Sequence, residues 1–202
     1  MFDMSTRLVR LFAGLVLFGV SLALMVRAEL GLGPWDVFHQ GIADRTGLSI
    51  GIVVNITAVA VLLLWIPLRQ RPGIGTVANV VVIAVVVDAA LAVVPEPAGL
   101  PARIALLVGG VVLNGVATAA YVGARLGPGP RDGLMTGLAG RTGWSVRLVR
   151  TCIEATVLVA GWLLGGTVGV GTVFYALAIG PLTQAFLPLL TVRDGRGERE
   201  GS

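Results

Sequence analysis

The sequence predicts an all-α integral membrane protein with six transmembrane helices. They form two inverted three-helix repeats, each carrying a short interfacial or re-entrant helix after its first span. Three observations predict this. The chain of 202 residues is 55% hydrophobic and only 13% charged, with a mean hydropathy of +0.90, which in a soluble domain would leave large apolar patches in water. A twenty-residue stretch occurs twice, 96 residues apart. The arginines of the two copies are distributed in opposite ways along equivalent positions.

The repeated stretch runs from Leu30 to Ser49 and returns from Leu126 to Ser145, with eleven of twenty positions identical, among them Gly31/Gly127, Gly33/Gly129, Pro34/Pro130, Asp36/Asp132 and Arg45/Arg141. The register holds without a gap to Gly73-Ile74-Gly75-Thr76 and Gly169-Val170-Gly171-Thr172. A fixed period over this length marks duplication. One membrane domain over 1–192 follows, made of repeats 1–96 and 97–192, with 193–202 as a polar cytoplasmic tail.

Leu8–Val26 is nineteen residues long and bracketed by Arg7, Arg10 and Arg27, enough at 1.5 Å per residue to cross a hydrocarbon core of about 30 Å. A signal peptide is the competing reading; the copy of this run at Ile104–Val122, in mid-chain, favours a span. Gly31 and Gly33 then suit a tight turn, Pro34 suits the first helical position, and Asp36 falls in the first turn, where its charge favours the helix dipole. The helix that follows has three turns, too few to span, and lies in the interface or dips into the membrane. Leu48–Leu68 and Ile74–Val94 are the second and third spans. The second repeat supplies Ile104–Val122, its own motif helix beginning Gly127-Pro128-Gly129-Pro130, then Leu148–Leu164 and Val168–Leu190.

Three spans per repeat bring the second repeat into the membrane from the opposite face, so only one of two equivalent loops is cytoplasmic and arginine-rich. Glu29, Trp35, Asp44, Gly51 and Val54 become Arg125, Arg131, Gly140, Arg147 and Arg150 in the second copy, whereas Arg69 and Arg71 become Gly165 and Thr167. Both changes place the two termini in the cytoplasm, with Arg27, Arg45 and Arg103 outside. The location this implies is the cell (inner) membrane, multi-pass.

All fifteen basic residues are arginines, standing at the ends of apolar runs, so the net positive charge points to membrane orientation and not to nucleic acid. The single Cys152 excludes an intramolecular disulfide framework and is read as a small core residue.

The candidate site residues are the polar groups carried into this apolar frame. Asp36 and Asp132 are the one acidic pair that the repeat preserves; they either titrate and bind a cationic solute or satisfy free amides at the start of the short helix. Asp88 stands within the third span, where a carboxylate costs a few kcal/mol unless paired or neutral; its equivalent is Gln184, and Arg45 is its expected partner if it is structural. Glu154 lies four residues after Arg150, the spacing of a helical salt bridge. Asn55 and Asn114 are polar residues in spans, suited to interhelical hydrogen bonds. Gly31, Gly33, Pro34, Gly127, Gly129 and Pro130 make the motif turns. His39, the one histidine, is placed in an outer loop and lacks neighbouring Cys or His ligands, so no metal or cofactor is expected. Gly14, Gly19, Gly109, Gly110 and Gly115 suit close helix packing. No phosphate loop, dinucleotide fingerprint or nucleophile elbow occurs, and no enzymatic activity is expected.

Leu32-Gly33-Pro34-Trp35-Asp36-Val37-Phe38-His39, Gly129-Pro130-Arg131-Asp132-Gly133-Leu134-Met135, Gly161-Trp162-Leu163-Leu164-Gly165-Gly166 and Gly169-Val170-Gly171-Thr172 give the chain a resemblance to the YczE/YyaS/YitT-like bacterial integral membrane proteins, closest to the YczE branch. The resemblance implies a multi-pass membrane fold, with no substrate and no functional residue attached to it; for one branch it implies a link to production of a secreted lipopeptide. Inverted repeats with matching Gly/Pro-interrupted segments are the build of many secondary transporters. The expected function is therefore a permease for a small solute, coupled to protons through Asp88, Asp36 or Asp132. The alternative is a non-transporting accessory protein that supports production or export of a secondary metabolite. The expected partners are the lipid bilayer, a small solute and, because the bundle is small, a second copy in a homodimer.

Overall fold

The computed structural model describes residues 4–191, and within them every regular element is helical. Eight helices run in the order α1 (Met4–Ala28), α2 (Pro34–Thr46), α3 (Ile50–Leu68), α4 (Ile74–Val93), α5 (Leu100–Gly123), α6 (Pro130–Thr142), α7 (Val146–Leu163) and α8 (Val170–Leu190). The tail expected at 193–202 lies outside the described residues.

Five helices, α1, α3, α4, α5 and α8, are long and apolar enough to cross a membrane, one fewer than the six spans the sequence suggests. The difference is α7, which places Arg147, Arg150 and Glu154 in eighteen residues. Aliphatic residues such as Ile56, Leu63, Ile66, Val85, Leu177 and Leu189 are each more than half exposed on the outside of the bundle, a surface suited to lipid and not to water.

The identical positions of the repeat have a local explanation. Gly47 and Gly143 end α2 and α6 in the left-handed conformation, both at φ 72°, where a residue without Cβ is least strained. Two residues on, Ser49 and Ser145 cap the next helices, each hydroxyl accepting from the backbone N–H of Ile52 or Leu148 at 3.2 Å, a cap worth about 1 kcal/mol. The Gly-x-Ser spacing thus stops one helix and starts another.

α1 and α5 form the centre, with α4 against α1 and α8 against α5. Gly14 and Gly110 sit at the α1–α5 contact, while their downstream counterparts Gly19 and Gly115 bring α4 and α8 close; Gly109, expected to pack likewise, faces open space. Around this centre the repeats exchange elements. α2 packs on α7, and α6 on α3. Each motif turn docks on the other repeat: Leu30 carbonyl oxygen accepts from Gly171 N–H at 2.7 Å, and Leu126 carbonyl oxygen accepts from Gly75 N–H at 2.8 Å. Gly31 (φ 115°) and Gly127 (φ 124°) make this close approach; a Cβ on Gly31 would stand 2.7 Å from Thr172 Oγ1 and 2.8 Å from Gly169 N.

Contacts at the helix ends fall into two groups. In one, Arg27 pairs with Glu96 at 3.3 Å, Arg103 pairs with Glu29 at 2.9 Å, and Arg45 donates to the carbonyls of Leu163 and Leu164. In the other, Arg10 donates to Leu190 carbonyl oxygen at 2.9 Å and the Leu126 turn meets the start of α4. The α2 turn belongs to the first group and the α6 turn to the second.

Candidate functional site

Between the repeats lies a cavity of about 280 Å³ to which all eight helices contribute residues. The two short helices reach it by their N-termini. Pro34 to His39 is packed inside the bundle, whereas Asp44 to Gly47 is exposed; Pro130 to Met135 and Gly140 to Gly143 repeat the pattern. A helix start points amides and a positive dipole end inward, and here each start carries an aspartate.

Repeat-equivalent residues line the cavity in pairs: Gly33/Gly129, Pro34/Pro130, Trp35/Arg131, Asp36/Asp132, His39/Met135, Val54/Arg150, Ala58/Glu154 and Asn79/Tyr175. Asp36 is 3% exposed. Its carboxylate stands 3.5 Å from Arg131 Nη2 and 3.7 Å from His39 Nδ1, both measured to the same oxygen. Arg131 also lies over the Trp35 ring, 5.0 Å from its centroid, a cation–π contact worth upward of about 0.5 kcal/mol. The link therefore joins equivalent motif positions of the two repeats.

Asp132 is held differently. Tyr121 donates its hydroxyl to Asp132 Oδ2 at 3.2 Å, and among the described residues no cation lies within salt-bridge distance of it. Arg150 and Glu154 pair with each other at 2.8 Å on the cavity side of α7. The N-caps of the two short helices are Gly33 and Gly129, and the side-chain hydrogen bonds of the two carboxylates run to Arg131 and to Tyr121.

Of the residues singled out from sequence, Asp36, Asp132, Glu154 and Gln184 line the cavity, as do Gly33, Pro34, Gly129 and Pro130; Gly31 and Gly127 serve the turns behind it. Asp88, Asn55 and Asn114 stand elsewhere. Asp88 accepts from Ser49 Oγ at 2.5 Å and from Gly51 N–H at 2.7 Å at the start of α3; Arg45, its expected partner, binds the end of α7. Asn55 donates weakly to Val80 carbonyl oxygen at 3.4 Å, tying α3 to α4. Asn114, fully buried, donates to Ser21 Oγ at 2.8 Å and accepts from Tyr175 hydroxyl at 3.2 Å, which sets the Tyr175 ring from behind the cavity. His39, expected in an outer loop, is buried beside Asp36. Cys152, expected in the core, is exposed.

Arg131, Trp35, Tyr121, Tyr175 and Asn79 are among the lining residues to which the sequence assigns no site role, Arg131 counting there as an orienting charge; Arg150 pairs with Glu154 as the helical spacing predicts. The available signal was the position of Arg131: the residue before a preserved aspartate changes from tryptophan to arginine across the duplication, at a helix start where a cation opposes the dipole. Among the described residues no three His, Cys, Asp or Glu side chains converge as metal ligands.

Residues 5–188 match the model of a family of unknown function, DUF6198. The chain is 41% identical over 180 residues to an uncharacterised protein of Haemophilus influenzae, covering 89% of this chain and 82% of the relative. It is 38% identical over 182 residues to the uncharacterised membrane protein YczE of Bacillus subtilis, covering 88% and 83%, and 24% identical over 181 residues to the uncharacterised protein YyaS of the same organism, covering 88% and 90%. No solved structure matches the chain.

Proposed function

This chain belongs to the DUF6198 family, and we propose that it is a permease that moves a small solute across the cell membrane by alternating access between two inverted repeats. The observation that carries the reading is the cavity between the repeats, lined in pairs by equivalent residues of both copies and entered by two short helix starts. Discontinuous helices that meet at a repeat interface are the usual construction of solute sites in secondary transporters.

Inversion draws support from the end contacts. The α2 turn groups with Arg27, Glu96 and Arg103, and the α6 turn with Arg10 and Leu190, as two motifs opening to opposite faces require. In this reading α7 is the sixth span, about 27 Å long at 1.5 Å per residue, with the Arg150–Glu154 pair turned to the cavity and away from lipid. The termini then lie in the cytoplasm. Proton coupling runs through the cavity carboxylates, and Asp88, engaged at α3, has no part in it. A non-transporting accessory role asks for a dry, closed bundle, which the polar lining weighs against.

The test is flux in proteoliposomes across a panel of amines, amino acids, organic acids and sugars, with and without a pH gradient. Saturable flux of at least one solute, reduced at least tenfold by Asp132→Asn, is the expected outcome. Absence of protein-dependent flux for every solute under both conditions counts against the permease.

A further inference from the structure

The charges facing the cavity do not cancel, and the remainder has a location. Asp36 is opposed by Arg131 and Glu154 by Arg150. His39 adds no fixed charge, because burial next to the Arg131 cation disfavours the imidazolium. Among the described residues Asp132 is left without an ion pair of its own: the Tyr121 hydroxyl donates to it, and Arg150, already paired with Glu154, attracts it from longer range. An uncompensated carboxylate inside a membrane protein is costly unless a counter-charge reaches it.

Its surroundings specify that counter-charge. Phe18, Trp35, Tyr121 and Tyr175 put four aromatic rings on the cavity wall, and ring faces attract organic cations. The space, about 280 Å³, is nearly twice the roughly 150 Å³ cavity that holds one benzene.

We propose that the cavity is a binding site for a small organic cation, an amine or quaternary ammonium compound of about a dozen non-hydrogen atoms or fewer. Asp132 is its counter-ion and the aromatic rings are its walls. The proposal rests on the permease reading and names the solute class that such a permease would carry.

The test is isothermal titration of the full chain in lipid nanodiscs, with protein-free nanodiscs subtracted. The probes are choline and benzylamine as cations, benzyl alcohol as the neutral match, benzoate as the anion and glycine as the zwitterion. At least one cation binds tenfold or more tightly than the other three classes. Asp132→Asn weakens that binding at least tenfold, Asp132→Glu restores part of it, and Asp44→Asn, at the exposed end of α2, leaves it unchanged. Equal or tighter binding of benzoate, glycine or benzyl alcohol overturns the proposal, as does failure of both cations to bind. If Asp132→Asn does not fold, the selectivity of the unaltered protein among the probes decides. Flux measured alongside separates the two readings: cation binding without flux keeps the site and removes the permease, whereas flux of an anion or neutral solute that is independent of Asp132 keeps the permease and removes the site.

Discussion

The two halves use the same motif to build opposite surfaces. In the first, Trp35 precedes the aspartate and Val37 follows it; in the second, the same places hold Arg131 and Gly133. The helices they pack on are exchanged to match. Val37 meets Gly161 of α7, whereas Gly133 lies under the Trp65 indole of α3, and Trp65 and Gly161 are themselves equivalent by the 96-residue shift. Bulk has moved from one side of the contact to the other without loss of the contact. Charge has moved too: Val54 and Ala58 of the first half become the Arg150–Glu154 pair of the second. Duplication preserved the backbone frame, and divergence placed most of the polarity of the cavity on one half.

The largest effect is expected where the halves touch through charge. Arg131→Ala leaves Asp36 buried without a cation and should cost about 3–5 kcal/mol, read as lost unfolding free energy in detergent. Adding Asp36→Asn should return a substantial part of it. A double variant no more stable than Arg131→Ala would break the claim that this ion pair joins the repeats.

Next come the exchanged small residues. Gly161→Ala drives a Cβ into the backbone of Val37 and Phe38, and Gly133→Ala drives one into the Trp65 ring; each should cost about 1–3 kcal/mol by overpacking. Trp65→Phe should relieve part of the second and none of the first, because only the second clash is with a side chain. Thermal unfolding of the four proteins separates these outcomes.

Smaller differences sharpen the comparison at the turns. Thr76 Oγ1 donates to Pro128 carbonyl oxygen at 2.7 Å and accepts from Gly73 N–H at 3.1 Å, while Thr172 Oγ1 accepts from Gly169 N–H at 3.3 Å. Thr76→Val should therefore destabilise by more than Thr172→Val, with about 1 kcal/mol per bond lost. Tyr121→Phe removes one hydroxyl from Asp132 and should cost about 0.5–1.5 kcal/mol, with a larger proportional change in solute binding than in melting temperature.

The frame was legible because it is written in local chemistry. Gly47 and Ser49 terminate and initiate helices by conformational and capping preferences that act within a few residues, and their recurrence at Gly143 and Ser145 fixed the repeat. The cavity was legible only in part. Asp36 and Asp132 were visible as a preserved acidic pair, and His39 stands at helical spacing from Asp36, but Arg131 reaches Asp36 from 95 residues away, and no spacing rule connects them. Asp88 shows the same limit. Its position inside an apolar run leaves a solute role and a structural role equally open, and its contact with the α3 start, 37 residues upstream at Gly51, follows from no spacing rule. Five helices and not six meet the length and hydropathy of a span because α7 carries Arg147, Arg150 and Glu154, of which only the last two line the cavity.

The central claim is that the α2 and α6 ends open to opposite sides of the membrane. Thr46 and Thr142 are equivalent, exposed and at those ends, and Cys152 is the single cysteine to remove first. In a Cys152→Ser background, a membrane-impermeant maleimide applied to intact cells should label Thr46→Cys and should reach Thr142→Cys only after the membrane is permeabilised. Labelling of both from the same side would contradict the account.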